Sequence, residues 1–182
     1  MVMRRSSRHR FLPGFVVFPG GAVDAEDAAR AERWFGDAAE ASRAAAVREL
    51  AEEAGLLSTA AGLVVMPEAP EDPGAFPGGP PPVASLPQVS HWIAPEDVPV
   101  RFDARFFAVE APRDLEPRPD GGEAVHAWWA RPFDLLEANM SGGCLLYWPT
   151  MKVLEGLERC RTVAEVMAAD LPQIETEVQI IG

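Results

Sequence analysis

The stretch from Ala45 to Leu56 places one arginine and three glutamates among small and aliphatic residues. Residues three and four apart on an α-helix share a face, so Glu49, Glu52 and Glu53 are expected to project together. Clustered carboxylates repel one another unless a cation lies between them, and Mg²⁺ prefers oxygen ligands. Gly55 is expected to end the helix in a left-handed conformation. The spacing predicts a metal-binding helix, although a solvated acidic helix face would show the same pattern.

Two features surround this acidic stretch. Arg48 precedes Glu52 by four residues, so its guanidinium fork can hold a carboxylate in position. Upstream, the apolar run Phe15–Phe18 leads into Pro19-Gly-Gly21, which indicates a loop leaving a strand.

Together the loop and the acidic stretch resemble the signature of the Nudix hydrolases, G-x5-E-x7-R-E-U-x-E-E-x-G-U, where U is a bulky aliphatic residue. Residues 48–56 match the second half at every fixed position. Counting from Gly21, the first acidic position falls on Asp27, with Asp24 and Glu26 as alternatives. Asp27 precedes the arginine by 21 positions where the signature has eight, so 13 residues are inserted.

The interrupted signature is similar to that of one branch of the family, the coenzyme A diphosphatase-like proteins of the peroxisomal and mitochondrial type. Four other stretches resemble the same branch: Arg5–Gly14, Trp92–Pro95, Arg101–Phe107 and Leu145–Thr150. The resemblance therefore covers most of the chain.

The resemblance implies an α/β fold, an α/β/α sandwich with a mixed β-sheet, formed by a single domain over residues 1–182. Residues 28–47 are expected to be an insertion that leads into the catalytic helix, 67–87 a proline- and glycine-rich loop, and 149–182 a helical C-terminal region. Val2-Met3 is expected to be the tail of a strand whose beginning is missing.

The resemblance also implies a metal site. Glu49, Glu52 and Glu53, with the backbone carbonyl of Gly20 or Gly21, would hold one to three Mg²⁺ or Mn²⁺ ions. Such ions neutralise diphosphate charge and lower the pKa of a bound water.

Two carboxylates are candidates for the catalytic base. Glu52 or Glu123 would take the proton of the attacking water, and Glu116 is the alternative to Glu123 as an acidic residue outside the signature. Arg48 is expected to orient a carboxylate of the acidic helix.

Three arginines are candidates for substrate binding, because a guanidinium fork matches phosphate oxygens. Arg5 precedes the glycine loop, Arg101 lies between the predicted strands Val89–Ile93 and Arg105–Val109, and Arg105 begins the second of them. Each has an ordinary alternative: a solvated charge for Arg5, and an ion pair with Asp103 for the other two.

The charge limits the partners. A net charge of −12 argues against a nucleic acid partner, and no apolar run approaches the roughly 20 residues that cross a bilayer. The two cysteines have neither zinc-site nor disulfide-framework spacing, so a reducing cytoplasmic location is expected. A homodimer fits the family, although no dimer face is evident in the sequence.

The implied activity is hydrolysis of a diphosphate that joins a nucleoside to another group. The branch favours coenzyme A or acyl-coenzyme A, giving a phosphopantetheine and 3',5'-ADP. ADP-ribose, nucleotide sugars and dinucleotides are alternative substrates. A Nudix-fold sensor that binds a nucleotide metabolite without cleaving it is the non-enzymatic alternative.

Local patterns predict the remaining elements. Alanine-rich helix is expected from residue 28, broken near Gly36-Asp37, with the acidic helix beginning between Glu40 and Ser42. The other predicted strands are Leu63–Met66, Val89–Ile93, Arg105–Val109 with a buried centre, and Glu123–Trp129; the other helices are Pro132–Glu137, Pro149–Glu158 and Thr162–Ala169.

Overall fold

Strands and helices alternate along the chain in this computed structural model, which describes residues 1–8, 11–66, 78–94, 102–119, 121–171 and 174–175. The strands are β1 Val2–Arg5, β2 Val16–Val17, β3 Leu56–Thr59, β4 Gly62–Val65, β5 Gln88–Ile93, β6 Asp103–Phe107, β7 Ala124–Trp128 and β8 Ile174–Glu175. The helices are α1 Asp27–Phe35, α2 Ala41–Ala54, α3 Pro132–Met140, α4 Trp148–Leu157 and α5 Val163–Met167.

The described strands form three small sheets. β1 is the central strand of an antiparallel sheet in the order β2-β1-β7, and Met3 lies opposite both Val17 and Ala127. β3 and β4 form a hairpin, and β5 pairs antiparallel with β6 and parallel with β8. The fold is therefore mixed α/β, as predicted, and Val2-Met3 lies in a central strand.

The two three-stranded sheets share a core through Phe18. Its side chain packs against a cluster under α3 and α4 that contains Val16 and Leu154, and against a second cluster that contains Trp92 and Val153. Full burial of a phenylalanine side chain contributes roughly 2 kcal/mol, and Phe18 is half-buried. The residue at the entrance of the glycine loop is thus fixed by packing on both sides.

The segment between the two halves of the signature is helical. α1 ends at Gly36, whose φ of 75° is left-handed, and the Asp37 side chain accepts the Ala39 N–H to cap a 3-10 turn that leads into α2. α2 ends at Gly55, with φ 62°, and a Cβ there would lie 2.8 Å from the carbonyl oxygen of Arg118. The predicted break, helix start and glycine cap are confirmed.

The strand predictions need two corrections, one to the bounds and burial of β6 and one for the missed strand β3. β6 begins at Asp103 rather than Arg105, and its residues are half-buried or exposed rather than buried, because it is an edge strand of its described sheet. Its side chains meet polar groups of α2: Arg105 donates to Ser42 Oγ at 2.7 Å, and the Arg43 guanidinium lies 4.7 Å from the Phe107 ring centre. β3 was not predicted at all.

Some of the predicted segments lie outside the part of the chain that the structure describes. Residues 67–77 of the predicted proline-rich loop, and Arg101, lie outside the described residues. Within the described helices, no segment combines the length and apolarity needed to span a bilayer.

Candidate active site

Helix α2 places its glutamates at different depths beside the glycine loop. Glu53 is only 4% exposed, and its Oε2 accepts the Gly20 N–H at 2.8 Å. The Glu49 carboxylate touches Gly21 so closely that a Cβ on Gly21 would overlap it. The Glu52 side chain is 59% exposed. The two inner carboxylates, Glu49 and Glu53, therefore face the loop, and Glu52 lies at the solvent edge.

In this conformation the three carboxylates do not converge on one point. Among the described residues, no three acidic, histidine or cysteine side chains are arranged to hold a metal ion as they stand. The reason lies in Arg48, whose Nη1 donates to Glu49 Oε1 at 2.7 Å and to Glu52 Oε2 at 3.1 Å. The arginine thus occupies the space between these two carboxylates.

Arg48 also links α2 to the start of α1. Its Nε and Nη2 donate to the two carboxylate oxygens of Asp27 at 3.2 and 3.0 Å, and Nη2 donates to the Ala22 carbonyl at 3.1 Å. A fork that meets a carboxylate through two bonds fixes both direction and distance. The predicted orienting contact with a carboxylate is present, and its partners are more numerous than the sequence indicated.

The acidic residue that faces Arg48 most directly is Asp27, which is fully buried, whereas Asp24 and Glu26 are exposed. Asp24 accepts the N–H groups of Glu26 and Asp27 and so begins α1. Arg30 donates to Asp24, Asp27 and Glu26. Of the three candidates for the first acidic position, Asp27 is the one that reaches the catalytic helix by hydrogen bonds.

Burial and pairing move the carboxylate pKa values in opposite directions. Burial alone would raise the pKa of Asp27, but hydrogen bonds from Arg48, the Asp24 backbone and Arg30 bring it below its ordinary value. Burial raises the pKa of Glu53 to about 7, against the lowering by the Gly20 amide. The pKa of Glu49 is also raised, by burial first, in spite of Arg48. The positive charge around Glu49 and Glu53 is therefore too small to offset the effect of their burial.

Glu123 and Arg5 lie beside the inner carboxylates. Glu123 directly precedes β7, and its Oε2 is 3.9 Å from Nη2 of Arg5 on the neighbouring β1. The charge of Glu123 raises the pKa of both Glu49 and Glu53, while that of Arg5 lowers the pKa of Glu53. The structure thus brings these two sequence-predicted residues to the site.

The two inner carboxylates fit a divalent metal. Their oxygens are hard donors, their pKa values are raised by burial and by neighbouring negative charge, and Gly21 leaves room for Glu49 where any side chain would not. Rotation of Arg48 away from Glu49 and Glu52 would free both for coordination. The residues present therefore suit Mg²⁺ or Mn²⁺.

An open cleft of about 1630 Å³ runs along this site. Gly20, Gly21 and Glu49 line it together with Arg105 and, farther along, exposed aromatic side chains. The aromatic residues come from separate segments of the chain, so no local sequence pattern could have grouped them.

The ion pairs of Arg30 were missed in the sequence although they could have been predicted. Arg30 follows Asp27 by three residues and Glu26 by four, a spacing that places opposite charges on one face of a helix.

Known proteins resemble the chain in both sequence and structure. A crystal structure of a Nudix hydrolase from Alicyclobacillus acidocaldarius superposes with a TM-score of 0.77 and 32% identity, covering 94% of this chain and 89% of that one. A Caenorhabditis elegans protein named "Putative nudix hydrolase 7" is 42% identical over 59 residues, which are 32% of this chain and 17% of that protein. No family model matches the chain.

The fold and the site define a class: a mixed α/β protein in which a glycine loop and an acidic helix line a cleft, as in enzymes that hydrolyse diphosphates. With 32% identity across 89% of a solved member, the chain belongs to the Nudix hydrolase family, whose members are pyrophosphohydrolases. The predicted family is confirmed.

Proposed function

We propose that the chain hydrolyses a diphosphate that links a nucleoside to another group, with Mg²⁺ or Mn²⁺ as cofactor. The observation that carries this proposal is the pair Glu49 and Glu53, two carboxylates with raised pKa values that face Gly21 and Gly20. Glu53 is buried, and Glu49, whose side chain is 13% exposed, lines a large cleft. Such a pair is unfavourable in the protein alone, because buried negative charge needs compensation. A divalent cation supplies that compensation.

The metal would be held by Glu49 and Glu53, with Glu52 and the Gly20 carbonyl as further ligands. When bound, it supplies charge neutralisation and lowers the pKa of water. The water oxygen then forms a bond to one phosphorus as the bridging P–O bond breaks, and the water proton passes to a carboxylate. Glu52 and Glu123 are the candidates for this base, since both are accessible and adjacent to the inner pair.

Two described arginines are the candidates for binding substrate phosphate. Arg105 lines the cleft with its side chain 37% exposed and is held by Ser42 and Asp103. Arg5 lines the cleft beside Glu123. Arg48 is engaged with four partners and is assigned a positioning role instead.

Coenzyme A and its thioesters are the first candidate substrates. The resemblance of the interrupted signature favours them, and a cleft of about 1630 Å³ exceeds the roughly 300–1,000 Å³ that drug-sized ligands occupy. ADP-ribose, nucleotide sugars and dinucleotides share the diphosphate and the nucleoside, so they belong in the same assay.

The test is hydrolysis of coenzyme A, acetyl-coenzyme A, ADP-ribose and NADH with Mg²⁺ or Mn²⁺. Wild type is compared with Glu52→Gln and Glu123→Gln, and with Glu158→Gln as a matched control, since Glu158 is exposed at the end of α4. Metal-dependent turnover that survives in the control and falls in one of the first two variants supports the proposal and shows which of the two carboxylates the reaction needs. A folded wild type that binds these compounds but cleaves none would favour a sensor.

A further inference from the structure

Three exposed aromatic rings meet in the cleft from distant parts of the chain. The ring centres of Phe11 and Phe102 are 4.9 Å apart at 40°, and those of Phe11 and Tyr147 are 6.0 Å apart at 81°. Each of the three residues is between 36% and 38% exposed. They line the same cleft as Gly20, Gly21 and Glu49. We call this set, Phe11, Phe102 and Tyr147, the aromatic wall.

The backbone holds each ring of the aromatic wall in place. Leu12 is the one non-glycine residue of the described chain with a positive φ, 52°, a conformation that costs about 1 kcal/mol. Its carbonyl accepts the Phe15 N–H, which closes a turn directly after Phe11. The Phe102 carbonyl accepts the Ala94 N–H. A strained turn that keeps an aromatic ring exposed is characteristic of a ligand contact rather than of core packing.

The third ring is tied to the glycine loop. The Leu145 carbonyl accepts the Val16 N–H at 2.9 Å, so the segment before α4 lies along β2, which leads directly into Phe18 and the loop. Tyr147 follows immediately as the residue that caps α4. Tyr147 is therefore connected through the backbone to the strand that leads into the glycine loop, against which Glu49 and Glu53 of α2 lie.

We propose that the aromatic wall binds the nucleobase of the substrate. This inference rests on the proposed function, which requires a nucleoside at one end of the diphosphate. Flat aromatic faces set at two inclinations offer stacking and edge contacts to a planar ring, and stacking accepts any base. An aliphatic arm needs no rings, because leucine or valine side chains would cover it equally well. The nucleoside end thus lies at the aromatic wall, and the diphosphate lies toward Glu49 and Glu53.

The test compares the binding of AMP with that of ribose 5-phosphate, which lacks only the base, by calorimetric titration with Mg²⁺ present. Wild type is expected to bind AMP about tenfold more tightly. Phe102→Leu and Tyr147→Leu each keep an apolar side chain but remove the ring, so each should abolish most of this preference. Phe133→Leu is the matched control, because Phe133 is an exposed aromatic residue on α3 outside the cleft.

Three outcomes would overturn the inference. The first is a wild type without preference for AMP, and the second is a set of variants that weaken the binding of AMP and ribose 5-phosphate by the same factor. The third is a variant that keeps its AMP affinity but loses affinity for 4'-phosphopantetheine, which would assign the aromatic wall to the non-nucleoside arm. Thermal unfolding of each variant checks the fold. Because binding is measured without turnover, a wild type that stacks AMP yet cleaves no diphosphate contradicts the proposed function alone.

Discussion

Two pairs of carboxylates, Asp24 with Asp27 and Glu49 with Glu53, differ in how the protein compensates their negative charge. The Glu26 N–H and Arg30 donate to Asp24, and Arg48 and Arg30 donate to Asp27, so the pKa values of both aspartates fall below their ordinary values. At Glu49 and Glu53 burial outweighs the compensation, and their pKa values rise. The first pair is neutralised by arginines of the protein itself and is assigned a structural role. The second pair keeps uncompensated negative charge, which the metal of the proposed function would neutralise.

The largest expected effect comes from Glu53→Gln, which removes one negative charge from the inner pair. We expect kcat/KM to fall by roughly 10³-fold, because a preorganised charge in the site is lost. The metal-free protein should not lose stability, since the amide oxygen still accepts the Gly20 N–H and position 53 no longer carries a buried charge. Diphosphate hydrolysis and thermal unfolding measure both effects. Equal loss of stability and activity would mean that Glu53 is structural, like Asp27.

Arg48→Met tests the other member of the comparison. The change leaves the buried Asp27 with one arginine instead of two, and we expect the free energy of unfolding to fall by about 3 kcal/mol. Chemical denaturation measures it, with Arg33→Met, an exposed arginine at the end of α1, as control. Adding Asp27→Asn to Arg48→Met should recover part of the loss. Additive losses would show that the two residues do not act as a pair.

The two pairs also predict opposite pH dependences for the free energy of unfolding of the metal-free protein. Glu53 has a folded pKa of about 7 against an ordinary 4.5, so its contribution falls as pH rises through this window, by on the order of 3 kcal/mol. Asp27 has a lowered folded pKa, so its contribution is present above 3.8 and is lost as pH falls through the folded value.

Chemical denaturation across pH 2 to about 8 measures both dependences. Glu53→Gln should remove the loss of stability toward pH 7, Asp27→Asn should remove the loss at acid pH, and Mg²⁺ should restore the stability that is lost toward pH 7. A loss toward pH 7 that persists in Glu53→Gln would be assigned to another group.

A smaller effect is expected for Gly21→Ala. The added Cβ overlaps the Glu49 carboxylate, which is the mobile end of its side chain, so the carboxylate moves rather than the backbone. Activity should fall about tenfold, because a small displacement of a catalytic group lowers the reaction rate strongly. The free energy of unfolding should fall by less than about 1 kcal/mol. Gly55→Ala is the contrasting variant: its φ is 62° and its neighbour is backbone, so stability should fall and activity per folded molecule should not.

The smallest effect is expected for Arg30→Ala. Its side chain is partly exposed and Asp27 keeps its fork from Arg48, so unfolding free energy should fall by about 1 kcal/mol. Arg30→Lys should recover some of this. A loss as large as that of Arg48→Met would show that the two arginines contribute equally to the compensation of Asp27.

The sequence predicted α2 and its end closely, because Gly55 and the glutamate spacing are local signals. It could not rank Glu49, Glu52 and Glu53 by depth, since burial depends on the glycine loop that packs across the helix. The choice among Asp24, Glu26 and Asp27 likewise depended on a contact 21 residues away. β6 was expected to be buried from its apolar residues, but its place at a sheet edge is a property of strand order.

The close approach of Gly55 to Arg118 has a consequence for local opening. The Arg118 N–H donates to the Ala54 carbonyl at 2.7 Å, so the connection between β6 and β7 is bonded to the last turn of α2. The Arg118 amide can exchange its hydrogen only when that turn opens, whereas exposed amides earlier in the connection exchange independently. The approach to Glu123 and the end of the acidic helix therefore belong to one cooperative unit of the protein.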